Sequence, residues 1–143
     1  MRVDGVVVGS IGAGLCVLLS VAPGDDDDIS RRLVSRIAGI RIFPDDAARM
    51  NLDLAAAGGA VLVVSQFTLH ANTSRGHRPS FIGAADPEHA KHLYEGVIDA
   101  FKALGLEVAA GTFGAHMDVE LVNDGPVTLV LSSGEEPWHA DAG

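Results

Sequence analysis

Cysteine occurs once in these 143 residues, aromatic residues make up only 5%, and ten Lys and Arg face nineteen Asp and Glu, for a formal charge of −9. Each scarcity excludes something. A single thiol, Cys16, rules out an internal disulfide framework. It lies between Leu15 and Val17 with no basic neighbour to lower its pKa, so it reads as a small buried hydrophobe in a reducing, cytoplasmic setting. The deficit of cations argues against a protein that grips long nucleic acid, DNA included, because such binding depends on clustered Lys and Arg neutralising phosphates. Long apolar runs are also missing. The longest, residues 15–22, is interrupted by Ser20 and falls far short of the roughly twenty residues that span a bilayer. A signal peptide is not expected either, since Asp4 and the glycines at Gly5, Gly9, Gly12 and Gly14 break the apolar region one would need.

What is present suits one domain. Hydrophobic residues reach 48% and glycine is frequent at 17 positions. A chain of this size buries roughly two-thirds of its unfolded surface on folding, enough for a core without staples. Residues 3–9 and 15–21 are rich in β-branched and apolar side chains, and the Gly-containing stretch between them predicts a first hairpin. Asp25 to Asp28 then lead into Ile29, Leu33, Ile37 and Ile40 at helical spacing, with Asp28 placed as the cap. Four consecutive carboxylates lack the alternating oxygen spacing of a Ca²⁺ loop. Short extended pieces are expected at residues 41–43 and 51–54, and a strong strand at 60–65. The clearest helix covers residues 87–104, with Asp86 as cap, Pro87 in the first turn and Gly105 after the end. Its Ala90, Leu93, Tyr94, Val97, Ile98, Phe101 and Leu104 form one apolar stripe suited to covering a sheet. Residues 107–113, 117–122 and 127–132 read as closing strands. The expected architecture is a single α/β domain over residues 1–132, with a mixed or antiparallel sheet or barrel-like β layers and two main helices. Residues 133–143 are expected to be a frayed tail.

Two segments resist a purely structural reading. Ser65-Gln66-Phe67-Thr68-Leu69 follows the most hydrophobic strand and runs into a polar loop holding Arg75, Gly76, His77, Arg78 and Pro79. A strand end opening into a loop is a common place for reactive groups, because the sheet fixes the backbone while the loop stays open. Asn123-Asp124-Gly125-Pro126-Val127-Thr128 has a turn composition, but a proline directly after glycine removes a strand donor and permits a cis peptide. His89 and His92, near Glu88 and Glu95, lack the His-Glu-x-x-His arrangement and read as a solvated helix face, so no metal or other cofactor is expected. His77 and His116 receive no role.

These segments, with Gly114-Ala115-His116-Met117, Ile11-Gly12-Ala13-Gly14-Leu15, Arg41-Ile42-Phe43 and Met50-Asn51-Leu52, stand in the order found in a known family. The chain resembles the D-aminoacyl-tRNA deacylases, from residue 3 to about residue 131. The resemblance implies hydrolysis of the ester joining a D-amino acid to the acceptor end of tRNA. It implies backbone N–H groups around Phe67 and Thr68 as the oxyanion hole, Ser65 and Gln66 shaping the pocket, and activation largely by the substrate's own ribose hydroxyl. It also implies a homodimer in which Gly125 and a cis Pro126 reach into the partner's site and occupy the space an L side chain would need; glycine would pass such a filter. Arg75, Arg78, Met117 and Asn123 are the candidate contacts to substrate or tRNA, the arginine forks suiting phosphate. Thr68 as a nucleophile has no His, Lys or carboxylate within residues 65–69 to activate it. Family members usually open with a further strand of about a dozen residues carrying a Gln-Arg pair, and without it one sheet edge is expected to be open here. A general Thr68-dependent esterase and a non-catalytic tRNA-end or protein-binding module remain the alternatives. Charge is unevenly distributed: Asp25 to Asp28 with Glu135, Glu136 and Asp141 hold seven of the acids, and none lies between Asp53 and Asp86. The proposed site thus falls in a locally basic segment of an acidic chain.

Overall fold

The structure, a computed structural model, describes residues 1–134. Asp4 and Gly5, both at positive φ, make a two-residue turn that folds β1 (Arg2–Val3) back on β2 (Val6–Val7). β3 (Gly14–Leu19) does not join this hairpin. It runs parallel to β6 (Ala60–Ser65), Gly14 opposite Ala60 and Leu19 opposite Ser65, and β6 runs parallel to β7 (Val108–Ala110) on its other side. At Gly14 a Cβ would stand 1.9 Å from the Ala60 carbonyl oxygen, so only glycine lets the two strands meet there. Parallel neighbours require crossovers, and α1 (Asp27–Gly39) and α2 (Pro87–Ala103) supply them. Between α1 and β6, β4 (Phe43–Pro44) and β5 (Met50–Leu52) form a second small antiparallel pair.

Both helix starts are fixed by aspartate. Asp26 accepts from the Ile29 N–H at 2.8 Å, and Asp86 accepts from the Glu88 and His89 N–H groups at 3.1 Å, with Pro87 opening α2. His89 Nε2 meets the Asp25 carbonyl at 2.9 Å and His92 Nε2 lies 3.2 Å from Asp27, so this face of α2 is tied to the start of α1. No cluster of three or more His, Cys, Asp or Glu suited to a metal occurs among the described residues.

The α/β class and the two helices match the sequence reading, whereas several finer expectations need correction. The first hairpin is not residues 3–9 against 15–21, because Asp4-Gly5 already closes a shorter one and β6 takes β3 as its neighbour. The cap of α1 is Asp26, not Asp28, which lies inside the first turn and pairs with Arg31. Of the three closing strands only Val108–Ala110 forms; residue 118 merely bridges to Arg2, and residues 127–132 carry no ladder among the described residues. Leu104 is 52% exposed, since the helix ends at Ala103 and the last stripe position turns away from the sheet. Cys16 is exposed as well, because β3 is the edge of its sheet and alternation puts Cys16 and Leu18 on the face of Leu62 and Val64, where the cover given by Met1 centres on β6; partial desolvation nevertheless raises its thiol pKa. The sheets remain separate and no barrel closes among the described residues. The frayed tail expected at residues 133–143 lies outside the described residues from 135 onward.

β6 is the centre of the core. Val61 and Val63 face Tyr94, Val97 and Phe101 of α2 and Val34 and Ile37 of α1, while Leu62 and Val64 face Met1, with Met117 and Val119 packed alongside. Val34 belongs to this core although the helical pattern had singled out other α1 residues. Tyr94 brings its hydroxyl into the core, donating to the Val63 carbonyl at 3.1 Å and accepting from the Gly111 N–H at 3.2 Å; burial raises its pKa. One hydroxyl thereby ties α2 to the ends of β6 and β7. Tyr94→Phe is expected to lower unfolding free energy by about 1–2 kcal/mol in urea titrations with an unchanged slope, the range for losing buried hydrogen bonds without losing the ring.

Candidate functional site

At the end of β6 the chain leaves the core abruptly. Ser65 and Gln66 are half-buried, and Phe67–His70 form a short 3-10 turn in which no residue is buried. The Gln66 N–H donates to the Leu19 carbonyl at 2.7 Å, which carries the sheet one residue past the strand. Inside the turn, the Leu69 N–H donates to the Gln66 carbonyl at 3.2 Å and the Ala71 N–H to the Thr68 carbonyl at 3.1 Å. The N–H groups of Phe67 and Thr68 donate to no described residue, as expected for the first positions of a helical turn. They are two successive backbone donors at a strand end, with Phe67 57% exposed beside them. Such a pair can stabilise an anionic oxygen.

The side chains agree with that division of labour. Gln66 Nε2 donates to Thr68 Oγ1 at 2.5 Å. An amide nitrogen cannot accept a proton, so this contact positions the hydroxyl without activating it as a nucleophile. Phe67 meets Phe81 edge-on at 5.1 Å between ring centroids, joining the turn to the far end of the loop. Arg75 and Arg78 lie exposed on that loop, and neither forms an ion pair among the described residues. His77 and His116 are exposed too.

The second candidate segment is a separate turn. The Gly125-Pro126 peptide is cis, and Gly125 has φ +125° with only 2.8 Å between an added Cβ and Val127 Cγ2. Asn123 closes the turn, its Oδ1 accepting from the Val127 N–H at 3.2 Å and its Nδ2 donating to Thr128 Oγ1 at 2.8 Å. The structure therefore brings Gln66 and Thr68 together, and Asn123 with the Gly125-Pro126 turn, but no hydrogen bond joins the two segments among the described residues. Met117 is half-buried against Met1 and Gly111 in the core face below β6. A shallow cleft between α1 and residues 132–133, lined by Arg32, Arg36 and Ser133, includes none of these residues. One contact at the turn escaped the sequence reading. Ser20 Oγ lies 2.5 Å from His70 Nδ1, and its only signal was a polar residue interrupting an apolar strand.

This is an α/β protein whose polar groups gather on turns beyond the strand ends. The chain belongs to the D-Tyr-tRNA(Tyr) deacylase family, whose sequence profile matches residues 1–132. A D-aminoacyl-tRNA deacylase of Deinococcus radiodurans is 57% identical over 90% of this chain and 89% of its own length, and one of Thermomicrobium roseum is 51% identical over 94% and 88%. Among solved structures, the c-Myc DNA Unwinding Element Binding Protein superposes with a TM-score of 0.86 at 32% identity, covering 93% of this chain and 91% of that one. A probable eukaryotic D-amino acid tRNA deacylase shares the fold at a TM-score of 0.58 and 15% identity, over 71% and 74%.

Asn123→Ala removes both ties across the Gly125-Pro126 turn. Amide hydrogen exchange at Val127 is expected to accelerate at least about ten-fold while core amides in β6 keep their protection, because the loss is local and exposed.

Proposed function

We propose that this chain hydrolyses the ester of D-aminoacyl-tRNA, and of glycyl-tRNA, releasing free tRNA and the amino acid. Water adds to the ester carbonyl carbon, the carbonyl oxygen becomes an oxyanion, and collapse of the tetrahedral intermediate expels the ribose oxygen, which takes up a proton. The observation that carries the reading is the pair of Phe67 and Thr68 N–H donors at the end of β6, which have no partner among the described residues. They are aimed by backbone, need no protonation change, and cost little reorganisation when charge develops. Ser65 and Gln66 shape the pocket, and the ribose hydroxyl of the substrate supplies the activation that the Gln66 amide, bonded to Thr68 Oγ1, does not offer. The acceptor end of tRNA meets Arg75 and Arg78 in the acid-free stretch between Asp53 and Asp86, so local charge favours its phosphates although the whole chain carries −9. The DNA element in the name of the structural relative is not carried over, because that net charge opposes gripping a long duplex.

Stereochemical selection is assigned to Gly125 and Pro126 of a second subunit, whose backbone occupies the volume an L side chain needs. Apolar surface around that turn supports the dimer: Leu121, Val122, Leu129 and Val130 are each at least half exposed, Val122 at 92%. A fixed backbone rejects by shape, so glycine passes. In assays with matched D-, L- and glycyl-tRNA, the purified chain is expected to cleave the D and glycyl esters and to leave the L ester intact. Thr68→Ala is expected to cost less than about ten-fold in kcat, against the thousand-fold or greater loss that follows removal of a nucleophile. A covalently acylated Thr68 trapped in a single turnover contradicts the mechanism, and equal cleavage of D and L esters contradicts the filter.

A further inference from the structure

The turn that carries the two donors is held unusually little by burial. None of Phe67–His70 is buried, and Phe67 and Leu69 stand 57% and 45% exposed. Besides the contact of Phe67 with Phe81, what fixes it is the end of β3, where three successive residues each hold a different part of the same region. The Leu19 carbonyl accepts from the Gln66 N–H at 2.7 Å before the turn, Ser20 Oγ meets His70 Nδ1 at 2.5 Å at its last residue, and the Val21 carbonyl accepts from the Ala85 N–H at 2.9 Å where the loop returns. Two of these ties are backbone bonds that any sequence could make. Only the middle one depends on side-chain identity.

We propose that Ser20 and His70 form a positioning pair that sets the Phe67 and Thr68 N–H groups for the deacylation reaction, an inference that rests on the oxyanion role given to those donors above. Ser20 and His70 are both half-buried, so water competes poorly for the contact. A serine hydroxyl suits either imidazole tautomer, donating to a bare Nδ1 or accepting from a protonated one, and the tie therefore does not depend on which form is present. Residue 70 closes the turn, and its displacement swings the peptide planes of residues 67 and 68, which the edge contact of Phe67 with Phe81 holds from one side only. Small misplacement at reacting groups is costly in rate even when ground-state binding survives. Neither residue touches substrate in this account. They act through the backbone.

The experiment is a double-mutant cycle in the full chain with D-aminoacyl-tRNA as substrate: Ser20→Ala, His70→Ala and both together, with Ser20→Thr and His70→Asn as conservative replacements. Each single loss is expected to lower kcat about ten-fold to a hundred-fold with KM changed less than about two-fold, and the double variant is expected to be no worse than the weaker single variant. Ser20→Thr keeps the hydroxyl and is expected to retain activity, as is His70→Asn, whose amide reaches the place of Nδ1. Multiplicative losses, an unchanged kcat, or a loss confined to KM overturns the proposal. If His70→Ala does not fold, the contrast between Ser20→Ala and Ser20→Thr decides alone. A wild-type chain without D-specific cleavage overturns the function reading instead, so the two failures are distinguishable.

Discussion

Burial of β6 on both faces is the constraint on which the rest depends. Residues Ala60 to Val64 are all buried, Val61 and Val63 beneath the two helices and Leu62 and Val64 against Met1. Such a strand needs hydrogen-bonded neighbours on both edges, and parallel pairing with β3 and β7 supplies them through two helical crossovers. Because its position is fixed from four sides, the point where it ends is also fixed. Ser65 and the turn beyond it inherit a rigid origin without being buried themselves.

On the function proposed above, that arrangement resolves a conflict common to hydrolytic sites. Donors that stabilise an oxyanion must be held in place, yet a buried and unsatisfied N–H is costly to keep. Here the N–H groups of Phe67 and Thr68 donate to no described residue because they open a turn, and the turn sits at the surface, where solvent can satisfy them. The contacts that hold the turn come from outside it, from Leu19, Ser20 and Val21 and from Phe81 against Phe67. The polar side chains within it, Gln66 and Thr68, bond to each other and leave the backbone available. The same separation recurs at Gly125-Pro126, where Asn123 ties the turn from one side while the peptide itself stays exposed.

Much of this was legible in the sequence. The helices could be located because Asp86 with Pro87 and the aspartates before Ile29 are local signals that need no knowledge of neighbours, although the cap of α1 falls two residues before the one the pattern suggests. The site segments stood out as polar residues directly after an apolar strand and as a Gly-Pro inside a turn. Strand pairing was not legible, because β-branched stretches at residues 3–9 and 15–21 look alike whether they pair with each other or with strands far along the chain. The small Asp4-Gly5 turn decides it, and its two residues are a weaker signal than the longer glycine-rich stretch that follows. The exposure of Cys16 and Leu104 likewise follows from edge position and helix end, which only the assembled sheet defines. Ser20 and His70 are fifty residues apart, and a polar residue interrupting an apolar run does not say what it meets.

The central claim is that backbone donors, not a side-chain nucleophile, carry the chemistry at the end of β6. Replacing the Thr68 peptide nitrogen by oxygen through semisynthesis removes that N–H while keeping the threonine side chain. The account predicts a fall in kcat on the order of a hundred-fold or more toward D-aminoacyl-tRNA, with KM little changed, as for the loss of one oxyanion donor. A kcat within a few-fold of the unmodified chain would contradict it.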